Sequence, residues 1–161
     1  MQTNKILLAF LLIIFFVSCN KNDENDSTHS QEQHHTDCIK GDLDIVSSSN
    51  QILGEWKLLR SRIIWPEYKN WDFSDKNIIY NFKPNGILVV SESGGIGGFD
   101  KGEYNYVFEE DYLSGSPSPN ESMIWLVKIM NSKWTYKSQG NLMVVGKSYV
   151  DGADLCFERK K

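Results

Sequence analysis

Ala153-Asp154-Leu155-Cys156-Phe157-Glu158-Arg159 alternates apolar and polar side chains, and Asp151-Gly152 stands directly before it. Successive side chains of a strand point to opposite faces, so Leu155 and Phe157 share one face and Asp154, Cys156 and Glu158 the other. An Asp-Gly link suits a two-residue type I′ hairpin turn, which would join this strand to an antiparallel neighbour over residues 142–150. The same period of two runs back along the chain. Trp56 and Leu58 alternate with Glu55 and Lys57, Ile78, Tyr80 and Phe82 with Asn77 and Asn81, and Tyr104, Tyr106 and Phe108 with Glu103 and Asn105. Residues 87–91, 124–130 and 134–137 complete eight predicted strands rich in β-branched and aromatic side chains.

Turn chemistry separates these strands. Lys83-Pro84-Asn85-Gly86 suits a type I turn with Gly86 in the left-handed region, and Gln139-Gly140-Asn141 makes another break. Short links imply antiparallel neighbours, and closing the resulting meander removes its exposed edges. The expected fold class is all-β: a small up-and-down antiparallel β-barrel of about eight strands. Only residues 41–50 read as helical, and that segment is short.

Gly54-Glu55-Trp56 opens the first strand and Arg159 ends the last. Together with the final Asp-Gly hairpin, these residues resemble the lipocalin superfamily. More closely, residues 52–159 resemble the small lipocalin-like domains of bacterial, Gram-negative lipoproteins. The resemblance implies that Gly54, Trp56 and Arg159 form the fold signature, with Arg159 packed over Trp56. Such a cation–π contact is worth roughly 0.5–2 kcal/mol. The resemblance also implies a small apolar ligand or lipid at the barrel mouth.

The N-terminus sets a location. Lys5 precedes an apolar run at residues 6–17, twelve residues long. That length suits a signal-peptide core and falls short of the roughly 20 residues of a membrane span. Phe16-Val17-Ser18-Cys19 resembles the cleavage and lipidation box of a bacterial lipoprotein. The resemblance implies a signal peptide at residues 1–18 and lipid chains on Cys19. Two or three acyl chains, at about 0.8 kcal/mol per buried methylene, give lasting attachment.

Residues 20–37 contain no aliphatic or aromatic side chain, so this stretch is expected to remain a disordered tether. It carries Lys21 against Asp23, Glu24, Asp26, Glu32 and Asp37. An acidic segment after a lipidated cysteine resembles the export signal of some surface lipoproteins. Both the cell surface and the periplasmic face of the outer membrane stay open. His29, His34 and His35 all lie in this tether, which supplies no fixed frame for a metal, and no metal or cofactor is expected.

The expected organisation is therefore a leader at 1–18, a lipidated tether at 19–37 and a barrel domain at 38–161. Cys38 and Cys156 remain after Cys19 takes lipid. Two thiols in an oxidising compartment favour a bridge, against the alternative of two free thiols. Closing a loop of about 100 residues stabilises by roughly 4.7 kcal/mol in the chain-entropy model. Parity puts Cys156 on the outside, where a leader segment could strap across the wall.

The domain carries fifteen basic against sixteen acidic residues, with no footprint for nucleic acid. It has no histidine, which removes the commonest general base, and a non-catalytic role is expected. Gly94-Gly95-Ile96-Gly97-Gly98 lacks a following lysine and helix and reads as a flexible hairpin loop, not a phosphate cradle. Glu109-Glu110-Asp111 reads as a solvated acidic loop ahead of residues 114–119.

Two functions follow from different classes. In the first, the domain binds a small apolar ligand or lipid at the barrel mouth. In the second, a filled barrel serves as a protein- or glycan-interaction module, in one form an enzyme inhibitor. The candidate surface is residues 63–73, with Trp65, Tyr68, Trp71 and Phe73, since aromatics on a long connection often bind partners. Trp65 and Trp71 alternatively cap the barrel end. The number of aromatics favours a mostly filled interior, each burying roughly 150–250 Å².

Overall fold

The computed structural model describes Cys38, residues 51–95 and residues 97–161. The leader, Cys19, the tether with its histidines and the helical candidate at 41–50 lie outside the described residues. Among the described residues nine strands follow one another: β1 (Gly54–Ile63), β2 (Lys69–Asp72), β3 (Ile79–Phe82), β4 (Ile87–Val90), β5 (Gly102–Asp111), β6 (Ile124–Ile129), β7 (Ser132–Gln139), β8 (Leu142–Gly146) and β9 (Ala153–Arg159). All but β2 form a closed antiparallel barrel of eight strands, in which β9 pairs back onto β1. The all-β barrel is therefore as the sequence predicts.

β1 is long enough to serve two neighbours on one edge. Its first half pairs with β3 (Trp56 opposite Tyr80) and its second half with β2 (Ser61 opposite Trp71). On the other edge it meets β9, with a bulge between Leu58 and Arg60. The extra residue there reverses which positions face inward. Trp56 and Leu58 point inside before the bulge, and Ser61, opposite Leu155, points inside after it.

The interior is built from rings and aliphatic side chains. Trp56, Leu58, Tyr80, Phe82, Leu88 and Phe157 are all fully buried. Tyr80 meets Phe157 edge-on at 4.9 Å, and Phe82 meets Tyr106 at 5.1 Å. Pairs of this geometry add about 0.5–1.5 kcal/mol each beyond their buried area.

The turn at residues 83–86 closes as expected, with Gly86 at φ 76 and its N–H donated to the Lys83 carbonyl at 3.2 Å. The last connection differs from the expected two-residue hairpin. β8 stops at Gly146, a single 3₁₀ turn occupies Ser148–Val150, and Asp151 takes the left-handed conformation. Asp154 is the physical reason. Its outward carboxylate accepts the Ser148 N–H at 3.1 Å and pairs with Arg62 at 3.2 Å, drawing the chain off the ladder early.

Candidate functional site

The register gathers four connections at one end of the barrel, named here for Ile63. Ile63 lies opposite both Lys69 and Ala153, which brings residues 64–68 and 147–152 to that end. Val90 opposite Gly102 adds residues 91–101, and Ile129 opposite Ser132 adds the turn at 130–131. Tyr149 Oη donates to the Lys133 carbonyl at 2.8 Å, tying the last connection to the β6–β7 hairpin.

The glycine-rich segment is not the free hairpin loop expected from its composition. It enters the mouth. A Cβ built at Gly97 would lie 2.7 Å from Ala153 Cβ and 2.8 Å from Ser61 Oγ, and one at Gly98 would lie 3.0 Å from Tyr80 Oη. Gly97 also has φ +85, a region that side chains disfavour. Only a backbone without side chains fits between β1, β3 and β9 there. The Phe99 N–H donates to Tyr80 Oη at 3.0 Å and holds the segment in place. Burial pushes the Tyr80 hydroxyl up to about 12, against the opposing effect of that hydrogen bond.

Residues 63–73 are not a continuous loop either, since β2 folds back on β1 within them. β2 reads Lys69-Asn70-Trp71-Asp72, without the apolar alternation that marks a half-buried strand. The stretch divides by direction. Trp65 is 62% exposed and Tyr68 is 43% exposed. Trp71 pairs with inward-facing Ser61 and is half-buried, and Phe73 packs against the core with its N–H on the Leu59 carbonyl at 2.7 Å. The expected cluster is thus two outward aromatics, Trp65 and Tyr68, and two inward ones.

Sequence reasoning missed two interior groups. Trp134 Nε1 and Tyr136 Oη are buried, with no hydrogen-bond partner among the described residues. Trp134 lies against Phe99, with ring centres 5.5 Å apart, and Tyr136 against Phe108 at 4.7 Å. Both residues alternate as ordinary core positions, so the sequence carries no signal that their polar atoms go unpaired. Burial raises the Tyr136 hydroxyl above its usual value.

At the opposite end Gly54, Trp56 and Arg159 come together. Arg159 lies over the Trp56 ring, its Cζ 4.2 Å from the centroid. Its guanidinium donates to the carbonyls of Leu53, at 3.0 Å, and Gln51. Trp56 Nε1 donates to the Ile52 carbonyl at 2.7 Å. Gly54 sits between these groups at φ +110, its missing Cβ leaving 3.4 Å to Arg159 Nη1.

No family model, curated protein or solved structure matches this chain.

On the outer wall Cys38 and Cys156 are bridged, with Cα atoms 5.9 Å apart, and Cys156 is buried although it faces outward. The acidic stretch is occupied by cations of the chain itself. Lys128 Nζ reaches Glu109 at 2.6 Å and Asp111 at 2.7 Å, and Lys133 Nζ reaches Asp111 at 3.3 Å. The Lys128 bond, with that of the Tyr112 N–H, holds the Asp111 carboxyl down to about 2. Among the described residues no group of three or more His, Cys, Asp and Glu is placed to hold a metal.

Proposed function

We propose that this is a lipid-anchored cell-envelope protein whose lipocalin-like domain is a non-catalytic interaction module acting through the Ile63 end of the barrel. One observation carries this reading: all eight barrel strands send buried side chains into one core and the glycine-rich segment packs into the mouth, while Trp65 and Tyr68 are exposed. A filled barrel leaves its connections as the working surface, and exposed large aromatics are the side chains that most often dominate interfaces. The anchor rests on the likeness of residues 16–19 to a lipidation box. The location proposed is the outer membrane, on its periplasmic face or at the cell surface.

A second reading, small-molecule binding, is favoured by Trp134 Nε1 and Tyr136 Oη. A buried polar group without a partner costs about 1–3 kcal/mol, so two such donors among rings suit an acceptor atom on an otherwise apolar ligand. Native mass spectrometry of the protein purified from its own membrane separates the two. The module reading expects no retained small molecule, and a stoichiometric ligand would overturn it. Metabolic labelling with a fatty-acid probe tests the anchor: label is expected on the protein and is expected to vanish in Cys19→Ala.

A further inference from the structure

Among the described residues the exposed large apolar side chains are unevenly placed, and all but Val107 on β5 and Met123 before β6 gather at one end. Ile64, Trp65, Tyr68, Met130, Tyr149 and Val150 all sit on connections that the register brings to the Ile63 end. They come from three separate connections, so they are the tips of a rim and not the lining of a groove. Trp and Tyr, with an apolar body and a polar handle, are the side chains enriched where hydrocarbon meets water. The acids and bases of the domain nearly balance, so its net charge draws it to no oppositely charged partner.

We propose that this rim docks on the lipid bilayer that carries the protein's own anchor. The inference rests on the reading of Cys19 as lipidated. Residues 20–37 separate Cys19 from Cys38, and Cys38 is fastened to Cys156. Fully extended, those eighteen residues span at most about 60 Å. From Cys156 to the end of its strand at Ala153 is three residues, or roughly 10 Å along the wall. The linking chain is thus several times longer than it must be for the rim to touch the surface below. Attachment also keeps the rim at high local concentration, so weak insertion of a few side chains suffices.

The full lipidated protein, reconstituted in phosphatidylcholine vesicles with acyl chains brominated near the headgroup, tests this. Bromine quenches tryptophan only on close approach. We expect tryptophan emission to be quenched relative to unbrominated vesicles, and Trp65→Phe to remove most of that quenching. Trp71→Phe, at a half-buried position of β2 opposite Ser61, should leave it in place. A fully soluble partner protein as the rim's target predicts no quenching, and that result overturns the proposal, as does quenching that persists in Trp65→Phe. Flotation of the same vesicles separates the two failures. Protein that does not float refutes the anchor, whereas protein that floats without quenching refutes the docked rim.

Discussion

Replacing Gly97 by alanine should destabilise the barrel more than the same change at Gly95, two residues away. Both positions have positive φ, +85 and +68, and an alanine at either meets the left-handed penalty of about 1–2 kcal/mol. Their surroundings differ. A Cβ at Gly95 has nothing within 4 Å, while one at Gly97 lies 2.7 Å from Ala153 Cβ. That methyl is fixed to the β9 backbone and cannot swing aside. Overpacking of this kind costs about 1–3 kcal/mol. The expected losses are therefore about 1–2 kcal/mol at Gly95 and about 2–5 kcal/mol at Gly97. Urea unfolding followed by tryptophan emission reads the difference. At about 1–3 kcal/mol per molar urea, the two midpoints should separate by roughly 1 M. Coincident midpoints would mean that the glycine-rich segment does not occupy the mouth, and the reasoning would fail.

Arg159→Met should cost about 0.5–2 kcal/mol in the same assay, mainly through the lost contact with the Trp56 ring, because the exposed Leu53 and Gln51 carbonyls can take water in place of the guanidinium. Arg159→Lys should recover less than half of it, since an ammonium cannot stack on the ring as a planar guanidinium does. Reducing the Cys38–Cys156 bridge, or Cys38→Ser, should lower stability by about 2–4 kcal/mol, and thermal unfolding with and without reductant checks this. Tyr80 gives a pH dependence. Its folded-state value is raised to about 12 from 10.0, so the folded form keeps the proton longer. The contribution is complete below pH 10 and is lost as pH rises to about 12, in total roughly 2–3 kcal/mol. Denaturant midpoints between pH 9 and 12 should show this fall, and Tyr80→Phe should flatten it.

The closure of the barrel was legible because the alternation in residues 153–159 fixes both faces of β9. It places Leu155 and Phe157 inside, Cys156 outside and Arg159 at the level of Trp56, and the register with β1 has these pairings. Other features depend on information that a period of two does not hold. The bulge after Leu58 shifts β1 by one residue, so Ser61 faces inward without any polar-to-apolar signal. The glycines of residues 94–98 announce backbone freedom but not its destination, which Ser61, Ala153 and Tyr80 set from distant strands. Leu126 pairs with Thr135 on the outer face, yet it is fully buried. The connection after β5 turns back toward that wall, where Lys133 donates to the Tyr112 carbonyl at 3.0 Å. At the candidate site, aromatic content marked residues 63–73, but only pairing with β1 sorted Trp65 and Tyr68 from Trp71 and Phe73.

The central claim, a closed barrel occupied by its own chain, is tested most directly by a carbon-edited nuclear Overhauser spectrum of the labelled protein. A strong cross-peak from the Gly97 α-protons to the Ala153 methyl, beside one from the Leu58 methyls to the Phe157 ring, is the predicted result. A spectrum with the Leu58–Phe157 contact but none at Gly97 would mean an open mouth and an accessible interior, contradicting the account.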